Sequence, residues 1–585
     1  MIDSKHLVED YLSKNAWAVE ENSNTPFGLG AMQRYFGEEV SKRYWLEQIY
    51  DEDIAEAHVS GDLHIHDLGG LTLYCCGYSL KSVIMKGVMG VPNIPRSKPA
   101  KHFASIINHI TNLSTIFQNE IKGAVAFNSV DTLLAPFVRV DGLDFEEVKQ
   151  NMQNMVFSLN SNSRMGAEPA FTNMTFDLTP ASDLKDEKAW IGSEQVDFTY
   201  GECQEEMNMI NRAFFEIMLE GDSEGRPLVY PIPTYNIYDG FDWDNPVFDG
   251  LWEMAGKYGY PYFANFMNSD LKVEDVRSMC CRLNLDLREL RKRNGGLFGS
   301  ADSTGSIGVV TINLPRIAYE SDGNLDKFFS TLEHRMNIAR RSLEIKRDWL
   351  QRNILDTNAI PAYMEYVGTM RNHFNTIGVI GMNEMCENLF GEGIGGDRGK
   401  AFSMEVLEFM RDVLVGFQED TGQLYNLEAT PAEGCTYSLA KKDLERYPEI
   451  STRGTVEAPY YTNSCHLPVY EVENVTQLVE HQDELQTLFT GGTVVHLYLE
   501  GPINAEQAKH LVRTVCSNYK LPYISISPIN AFCDDHGMVD HIDGKCPFCG
   551  SEVDIYQRVT GYIRKVKFFN RGKKSEFGER SQLRV

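Results

Sequence analysis

Apolar side chains recur at helical spacing through Phe328–Leu355, where Leu332, Met336, Leu343 and Leu350 fall close to a 3.5-residue period. The same pattern predicts helices over Asn151–Leu159 and Glu205–Glu220. Two short runs are of the buried-strand type, Val309-Val310-Thr311-Ile312 and Val494-Val495-His496-Leu497-Tyr498-Leu499. Strands separated by long helical segments favour an α/β fold over an all-β one. Glu384–Phe390 reads as a helix, and Gly391-Glu392-Gly393-Ile394-Gly395-Gly396 as the loop that ends it. That loop has G-x-G-x-x-G spacing, but it follows a helix and lacks an acidic partner in a βαβ unit, so it is not a dinucleotide fingerprint. Gly299–Gly305 lacks the Gly-Lys-Ser/Thr of a P-loop. From about Ser525 the character changes: Gly, Asp, Lys and Cys accumulate, and Arg558–Val585 is basic.

Composition narrows the classes. Of 585 residues, 42% are apolar and 24% charged, which suits a large globular core and excludes a disordered chain. The net charge of −28 disfavours non-specific nucleic-acid binding and an anionic membrane surface, while leaving a local phosphate pocket open. No apolar run approaches the roughly 18 to 20 residues of a membrane span, and Met1-Ile2-Asp3-Ser4-Lys5-His6 has no apolar signal core, so a soluble cytoplasmic protein is expected. In a reducing compartment the 12 cysteines are core residues, metal ligands or catalysts. Two adjacent pairs stand out, Cys75-Cys76 and Cys280-Cys281.

Cys533 and His536, then Cys546 and Cys549, form C-x2-H, nine residues, C-x2-C. Two intervening residues let a tight turn bring both ligands onto one zinc ion, and four N/S ligands make a closed, structural site. His541 lies between the pairs and is an alternative to His536. Another metal reading concerns His64 and His66. On a strand, residues i and i+2 share a face and could chelate a hydrolase's metal. The remaining histidines carry no supporting motif, so a hydrogen-bonded structural pair is the expectation.

Just beyond the zinc ligands stands Arg558-Val559-Thr560-Gly561-Tyr562. An isolated glycine there would be read as a turn residue. Glycine's Cα–H bond is, however, weakened because the resulting radical is delocalised between the flanking amide nitrogen and carbonyl, and no side chain prevents planarity. A glycine on a buried C-terminal loop can therefore store a radical.

Several further segments, in order, complete a pattern. They are Glu21-Asn22-Ser23-Asn24, His64-Ile65-His66-Asp67, Tyr74-Cys75-Cys76-Gly77, Met279-Cys280-Cys281-Arg282-Leu283, the strand from Gly308 to Arg316, Thr430-Pro431-Ala432-Glu433 and Tyr461-Thr462-Asn463-Ser464. With the zinc motif and Gly561 they resemble the large catalytic subunit of the class III (anaerobic) ribonucleoside-triphosphate reductases, a glycyl radical enzyme family. The resemblance covers nearly the whole chain.

That resemblance implies a ten-stranded α/β barrel over 1–525, a zinc module over 526–552, and a glycyl radical loop and tail over 553–585. Gly561 would store the radical. Cys281 matches the cysteine whose thiyl radical takes the ribose 3′-hydrogen, with Cys280 as alternative occupant. Cys75 matches the second active-site cysteine, which delivers a proton and then a hydrogen atom, with Cys76 as its rival. Thr430, Pro431, Ala432 and Glu433, with Gly434, match the substrate-phosphate loop, where small residues expose N–H groups. Glu433 could act as a base. Ser306 and Asn313 lie on the substrate-side strand motif. The formate-using branch carries Asn where this chain has Ser306, and serine lacks the amide's paired donor and acceptor. A dithiol protein such as thioredoxin or glutaredoxin is therefore expected as reductant in place of formate, with Cys435 or Cys465 as a further redox cysteine.

The family further implies a homodimer, dNTP/ATP effectors, and a separate activase that uses S-adenosylmethionine and an iron–sulfur cluster. Because the catalytic pattern begins within about the first 25 residues, no N-terminal ATP-cone is expected. Another glycyl radical enzyme, of the formate acetyltransferase or diol dehydratase type, is the alternative. Two separated cysteine motifs and a zinc module beside the glycine favour the reductase. A non-enzymatic zinc-stabilised assembly protein would leave those cysteine motifs unexplained.

Overall fold

The computed structural model describes residues 4–14, 19, 25–89, 91–92, 95–268, 303–540 and 544–584. The Glu21–Asn24 motif, the Cys280/Cys281 motif and His541 lie outside the described residues.

The strands of the main sheet, in chain order, are β1 (Leu63–Ile65), β2 (Cys75–Gly77), β3 (Val125–Phe127), β4 (Thr172–Phe176), β5 (Ile232–Ile237), β6 (Tyr262–Asn265), β7 (Gly305–Asn313), β8 (His373–Ile380), β9 (Leu424–Glu428), β10 (Val495–Leu499) and β11 (Tyr523–Pro528). Ten of them run in the order β9-β8-β7-β2-β3-β4-β5-β6-β11-β10, and β1 pairs with β7 beside this path. Neighbours from β2 to β6 are all parallel. So are β7-β8-β9 and β10-β11. The two sets meet antiparallel at β2/β7 and at β6/β11. The expected ten-stranded α/β architecture is thus two halves of five parallel strands, which need long helical crossovers.

Between β9 and β10 the chain leading into β10 fills the gap. Thr490 N–H donates to Leu427 O at 3.0 Å and Ala429 N–H to Gly491 O at 2.9 Å. Gly492 makes this approach possible. Its φ is +74°, and a Cβ there would stand 2.5 Å from Ala429 O and from Glu428 Cγ.

Local elements follow the sequence pattern. The long helix spans Leu325–Leu350, is capped by Asn324, and continues as a π turn to Leu355. It buries Leu332, Met336, Leu343 and Leu350, each contributing about 1.5–3 kcal/mol by burial. The helix read from Asn151 begins earlier, at Phe145, because Asp144 and Glu147 form a capping box. The helix read from Glu205 spans Gln204–Glu220, and Met382–Phe390 ends at Gly391 as a helix-ending loop.

Beyond β11 lies a four-stranded antiparallel sheet of β12 (Asn530–Cys533), β13 (Gly537–Val539), β14 (Asp554–Arg558) and β15 (Ile563–Lys565), in the order β13-β12-β14-β15. One sheet therefore carries both the Cys533/His536 turn and the β14–β15 hairpin whose tip is Gly561. No helix among the described residues is long and apolar enough to cross a membrane.

Candidate active site and metal centre

Gly561 sits at a tight turn closed by Val559 N–H donating to Tyr562 O at 3.0 Å. Its flanks, Val559, Thr560 and Tyr562, are buried. The buried Arg580 guanidinium holds the hairpin, donating to Arg558 O at 2.9 Å, to Val559 O at 3.1 Å and to Glu576 at 2.7 Å. Tyr262 Oη donates to Gly561 O at 2.8 Å, and Arg558 Nη1 donates to the same oxygen at 3.2 Å. Neither the backbone nor any described neighbour requires a glycine. Among the described residues no atom lies within 4 Å of an added Cβ, and Gly561 is not among the positive-φ residues.

The turn faces a cavity of about 540 Å³ that Gly561 and Tyr562 line together with Thr430, Pro431, Ala432 and Glu433. This volume lies in the usual range for small-ligand sites. Tyr562 Oη donates to Glu433 Oε2 at 3.0 Å, joining the two loops across the cavity. Ala432 takes a left-handed φ of 47°, a conformation that non-glycine residues adopt mainly at turns and functional loops. Helix Cys435–Arg446 begins directly after Gly434, and no side chain among the described residues caps it. Thr436 and Ser438 N–H are used by Ala432 O and Gly434 O. The positive end of the helix is suited to phosphate oxygens.

This helix is anchored from behind. Asp443, fully buried, accepts from Arg316 Nε at 2.7 Å, Asn313 Nδ2 at 2.8 Å and Tyr461 Oη at 2.7 Å. Arg316 also pairs with Asp62 at 3.0 Å. Replacing Asp443 with Ala removes one half of a buried ion pair, and should cost about 3–5 kcal/mol. A lowered urea midpoint without a changed slope would register that cost, and an unchanged midpoint would contradict it.

Asn313 is thus a helix cap and Asp443 partner. Its Oδ1 also accepts from Arg316 N–H at 3.3 Å, and it does not line the cavity. Ser306 is buried too. Its Oγ bonds Thr376 Oγ1 at 2.9 Å and Gly308 O at 3.1 Å, and Ser306 pairs with Cys75 across the β2/β7 seam.

Alternation along β2 separates the adjacent cysteines. Cys76 belongs to the main hydrophobic core, and burial pushes its thiol well up. Cys75 lies on the opposite face, fully buried behind the cavity wall and not itself lining the cavity. A methyl on cavity-lining Gly123 would stand 3.2 Å from Cys75 Cβ. The other two candidates part similarly. Cys435 lines the cavity, whereas Cys465 lies in the core with its Sγ 3.7 Å from Gln482 Oε1 and its thiol pushed up to about 12 by burial.

His64 and His66 also line the cavity, with His58 beside them. Their rings are 4.6 and 5.2 Å apart. His66 Nε2 bonds Thr311 Oγ1 at 2.8 Å, and His58 Nδ1 accepts from Ile65 N–H at 3.1 Å. Burial, then Lys442, Lys42 and His66, brings His58 down to about 3; burial with Lys346 nearby brings His66 to about 4 despite Asp67. They are neutral hydrogen-bonding groups near pH 7. Among the described residues they do not form a metal-ligand cluster.

Sequence reasoning missed the charged wall of the cavity. Arg34 pairs with Glu38 at 2.7 Å and with Glu168, Lys122 pairs with Glu38, and Arg164 meets Glu168 at 2.9 Å. Burial would raise the Glu38 carboxyl, but Lys122 and Arg34 hold it below the usual range. Arg34–Glu38 and Arg164–Glu168 are i,i+4 pairs, but the links that join them into one wall, Arg34–Glu168 and Lys122–Glu38, connect residues far apart in the chain, so no spacing signals the wall. Tyr262 was missed for the same reason.

The metal motif closes as the spacing predicts. The ligand atoms of Cys533, His536, Cys546 and Cys549 all lie within 4.8 Å of one another. Cys533 Sγ is 3.6 Å from His536 Nδ1 and from Cys549 Sγ, and Cys546 Sγ is 3.6 Å from His536 Nδ1. Edges of about 3.6–3.8 Å are those of a tetrahedron around zinc with ordinary Zn–S and Zn–N bonds. Hydrogen bonds to Ser551 bring the Cys549 thiol down to about 6, toward the thiolate a metal needs. His536 therefore fits as the histidine ligand.

Comparisons with known proteins now add a family. The sequence profile described as "Anaerobic ribonucleoside-triphosphate reductase" matches residues 21–582. The chain is 25% identical to the anaerobic ribonucleoside-triphosphate reductase of Escherichia coli (strain K12), over 97% of this chain and 83% of that protein. A solved structure titled "Anaerobic ribonucleotide reductase" superposes with a TM-score of 0.79 at 21% identity, covering 99% of this chain and 97% of its own. The anaerobic ribonucleotide reductase from Thermotoga maritima, in complex with dATP and CTP, superposes with a TM-score of 0.74 at 21% identity, covering 98% of each chain. Structural likeness at such identity establishes the fold, and the profile match over nearly the whole length establishes more: this chain belongs to the anaerobic ribonucleoside-triphosphate reductase family, and is an oxidoreductase.

Proposed function

We propose that the protein converts ribonucleoside triphosphates to 2′-deoxyribonucleoside triphosphates by glycyl and thiyl radical chemistry, with a dithiol protein as reductant. The observation that carries this reading is Gly561. It lies on a buried hairpin tip, in the wall of the cavity shared with the Thr430–Glu433 loop, at a position where neither the backbone nor any neighbour among the described residues demands glycine. The weak Cα–H bond is then the remaining reason for the residue.

In this reading the Gly561 radical takes a hydrogen atom from the Cys281 thiol, giving an intact glycine and a thiyl radical. The thiyl takes the ribose 3′-hydrogen. Thr430, Pro431, Ala432 and the positive end of helix Cys435–Arg446 hold the phosphates. Glu433, tethered by Tyr562, accepts a ribose hydroxyl proton. Cys75 supplies the proton with which the 2′-oxygen leaves as water. Its thiolate, reprotonated by the Cys435 thiol, then gives a hydrogen atom to C2′. The two sulfurs join as a disulfide radical anion whose electron, with the proton held by Glu433, reduces the 3′-carbonyl. Cys281 returns the 3′-hydrogen and regains its thiyl radical. In balance, one C2′–O bond breaks, and two electrons and two protons come from a dithiol that ends as a disulfide. The Ser306 hydroxyl, already engaged with Thr376 and Gly308, offers formate no paired donor and acceptor. Cys435, on the cavity wall, is the further redox cysteine.

Zinc, held by Cys533, His536, Cys546 and Cys549, supplies structure. The partner that installs the radical is an activase with S-adenosylmethionine and an iron–sulfur cluster. The working form is a dimer with nucleotide effectors; the Thermotoga relative was solved in complex with dATP and CTP.

Anaerobic activation followed by admission of air tests the reading. Cleavage at Gly561, releasing the C-terminal tail, is expected. An intact chain after a demonstrated radical would remove Gly561 from the scheme. In the same preparation, CTP reduction should run with thioredoxin or glutaredoxin, and equal turnover with formate alone would overturn the dithiol assignment.

A further inference from the structure

The carbonyl of Gly561 receives two donors, the hydroxyl of Tyr262 at 2.8 Å and the guanidinium of Arg558 at 3.2 Å. Both side chains are about 2% exposed. They are locked to each other, with the Arg558 guanidinium carbon 4.4 Å from the Tyr262 ring centroid. Arg558 is further fixed by donating to the carbonyls of Gly259 and Tyr260. Among the described residues no carboxylate pairs with Arg558, so its buried charge meets only carbonyl oxygens and an aromatic face. Burying a cation on such terms is costly, and a hairpin tip could be held by neutral groups alone.

Resting on the glycyl reading above, we propose that Tyr262 and Arg558 are positioning residues for the radical: a two-donor cradle that stabilises and orients the Gly561 peptide when its α-carbon has lost a hydrogen atom. The unpaired electron of a glycyl radical spreads onto the adjoining carbonyl, while the amide nitrogen on the other side pushes electron density the same way. Negative density therefore grows on the carbonyl oxygen as the radical forms. A hydroxyl donor and a cation at that oxygen are stronger partners for the radical than for the parent glycine. Held from two directions, the carbonyl also stays in the plane that delocalisation requires. No bond to the cradle is made or broken. The hydrogen atom leaves to the activase's radical on activation, and is exchanged with the thiol in turnover.

The test compares activated wild type with Tyr262→Phe, which removes one oxygen atom and retains the ring under Arg558. Proton ENDOR in H2O and D2O should reveal in wild type an exchangeable coupling, from the Tyr262 hydroxyl, that Tyr262→Phe lacks. The radical content reached with excess activase should fall roughly fivefold, the weight of one hydrogen bond, while zinc content and melting temperature hold. Arg558→Lys, which retains the charge, should keep more radical than Arg558→Gln. A Tyr262→Phe protein with the coupling retained, or with unchanged radical content, would overturn the cradle. Absence of any glycyl doublet in wild type would instead overturn the parent reading, and the cradle with it.

Discussion

Gly561→Ala is expected to fold, keep its zinc and reduce no nucleotide. The methyl group has room, since no described atom lies within 4 Å of it, and the backbone is outside the left-handed region. Stability should be unchanged or higher by about 0.4–1 kcal/mol, because alanine restricts the unfolded chain more than glycine does. Activity should nonetheless vanish. An alanine α-radical carries a methyl group that resists planarity, and its hydrogen is less exposed to abstraction. Calorimetry beside EPR of the anaerobically activated protein separates the two effects. A stable, zinc-loaded variant without a doublet is the expected pair of results, and residual turnover would put the radical elsewhere.

Loss of the metal should have the second-largest effect. Cys546→Ser, or prolonged chelation, should release the zinc and unfold the sheet of β12 to β15 while the barrel stays folded. The reason is that the sheet buries few side chains of its own: Phe532 and Tyr556, in edge-on contact at 5.3 Å between ring centroids, pack against the main core and not into a separate one. Structural zinc in small domains contributes apparent folding energies of about 10–16 kcal/mol, far more than two aromatic side chains supply. Hydrogen exchange should rise across residues 530–565 and little elsewhere. Because β14 and β15 carry Gly561, radical formation should be lost as well. Protection of 530–565 that survives removal of the metal would show that the barrel alone holds the hairpin.

Much of this was legible in the chain. The grouping of Cys533, His536, Cys546 and Cys549 was, because a metal site imposes short, regular spacing on residues that are near in sequence. The helices were, because burying one face writes a period into them. The choice between Cys75 and Cys76 was not, since adjacent residues differ only in which side of β2 they take, and that side is set by β3 and β7. Cys435 and Cys465 likewise stand beside similar motifs, yet one reaches the cavity and the other the core. Asn313 shows the converse. A polar residue on a motif strand was read toward the substrate, but it satisfies a helix end and Asp443. Tyr262, about 300 positions before Gly561, has no local pattern to announce it. Only the antiparallel meeting of β6 and β11 brings it under the hairpin.

The two antiparallel seams have a mechanical consequence. The sulfur of Cys75 rides on one of them and the phenol of Tyr262 is next to the other. Within the β2–β6 half the ladders are continuous, and in the other half β9 and β10 are joined through the segment leading into β10. Sliding one half past the other strains mainly the joints, yet alters the gap between thiol and hairpin directly. Side-chain volume along these joints should therefore govern how fast the enzyme cycles well before it governs whether the enzyme unfolds.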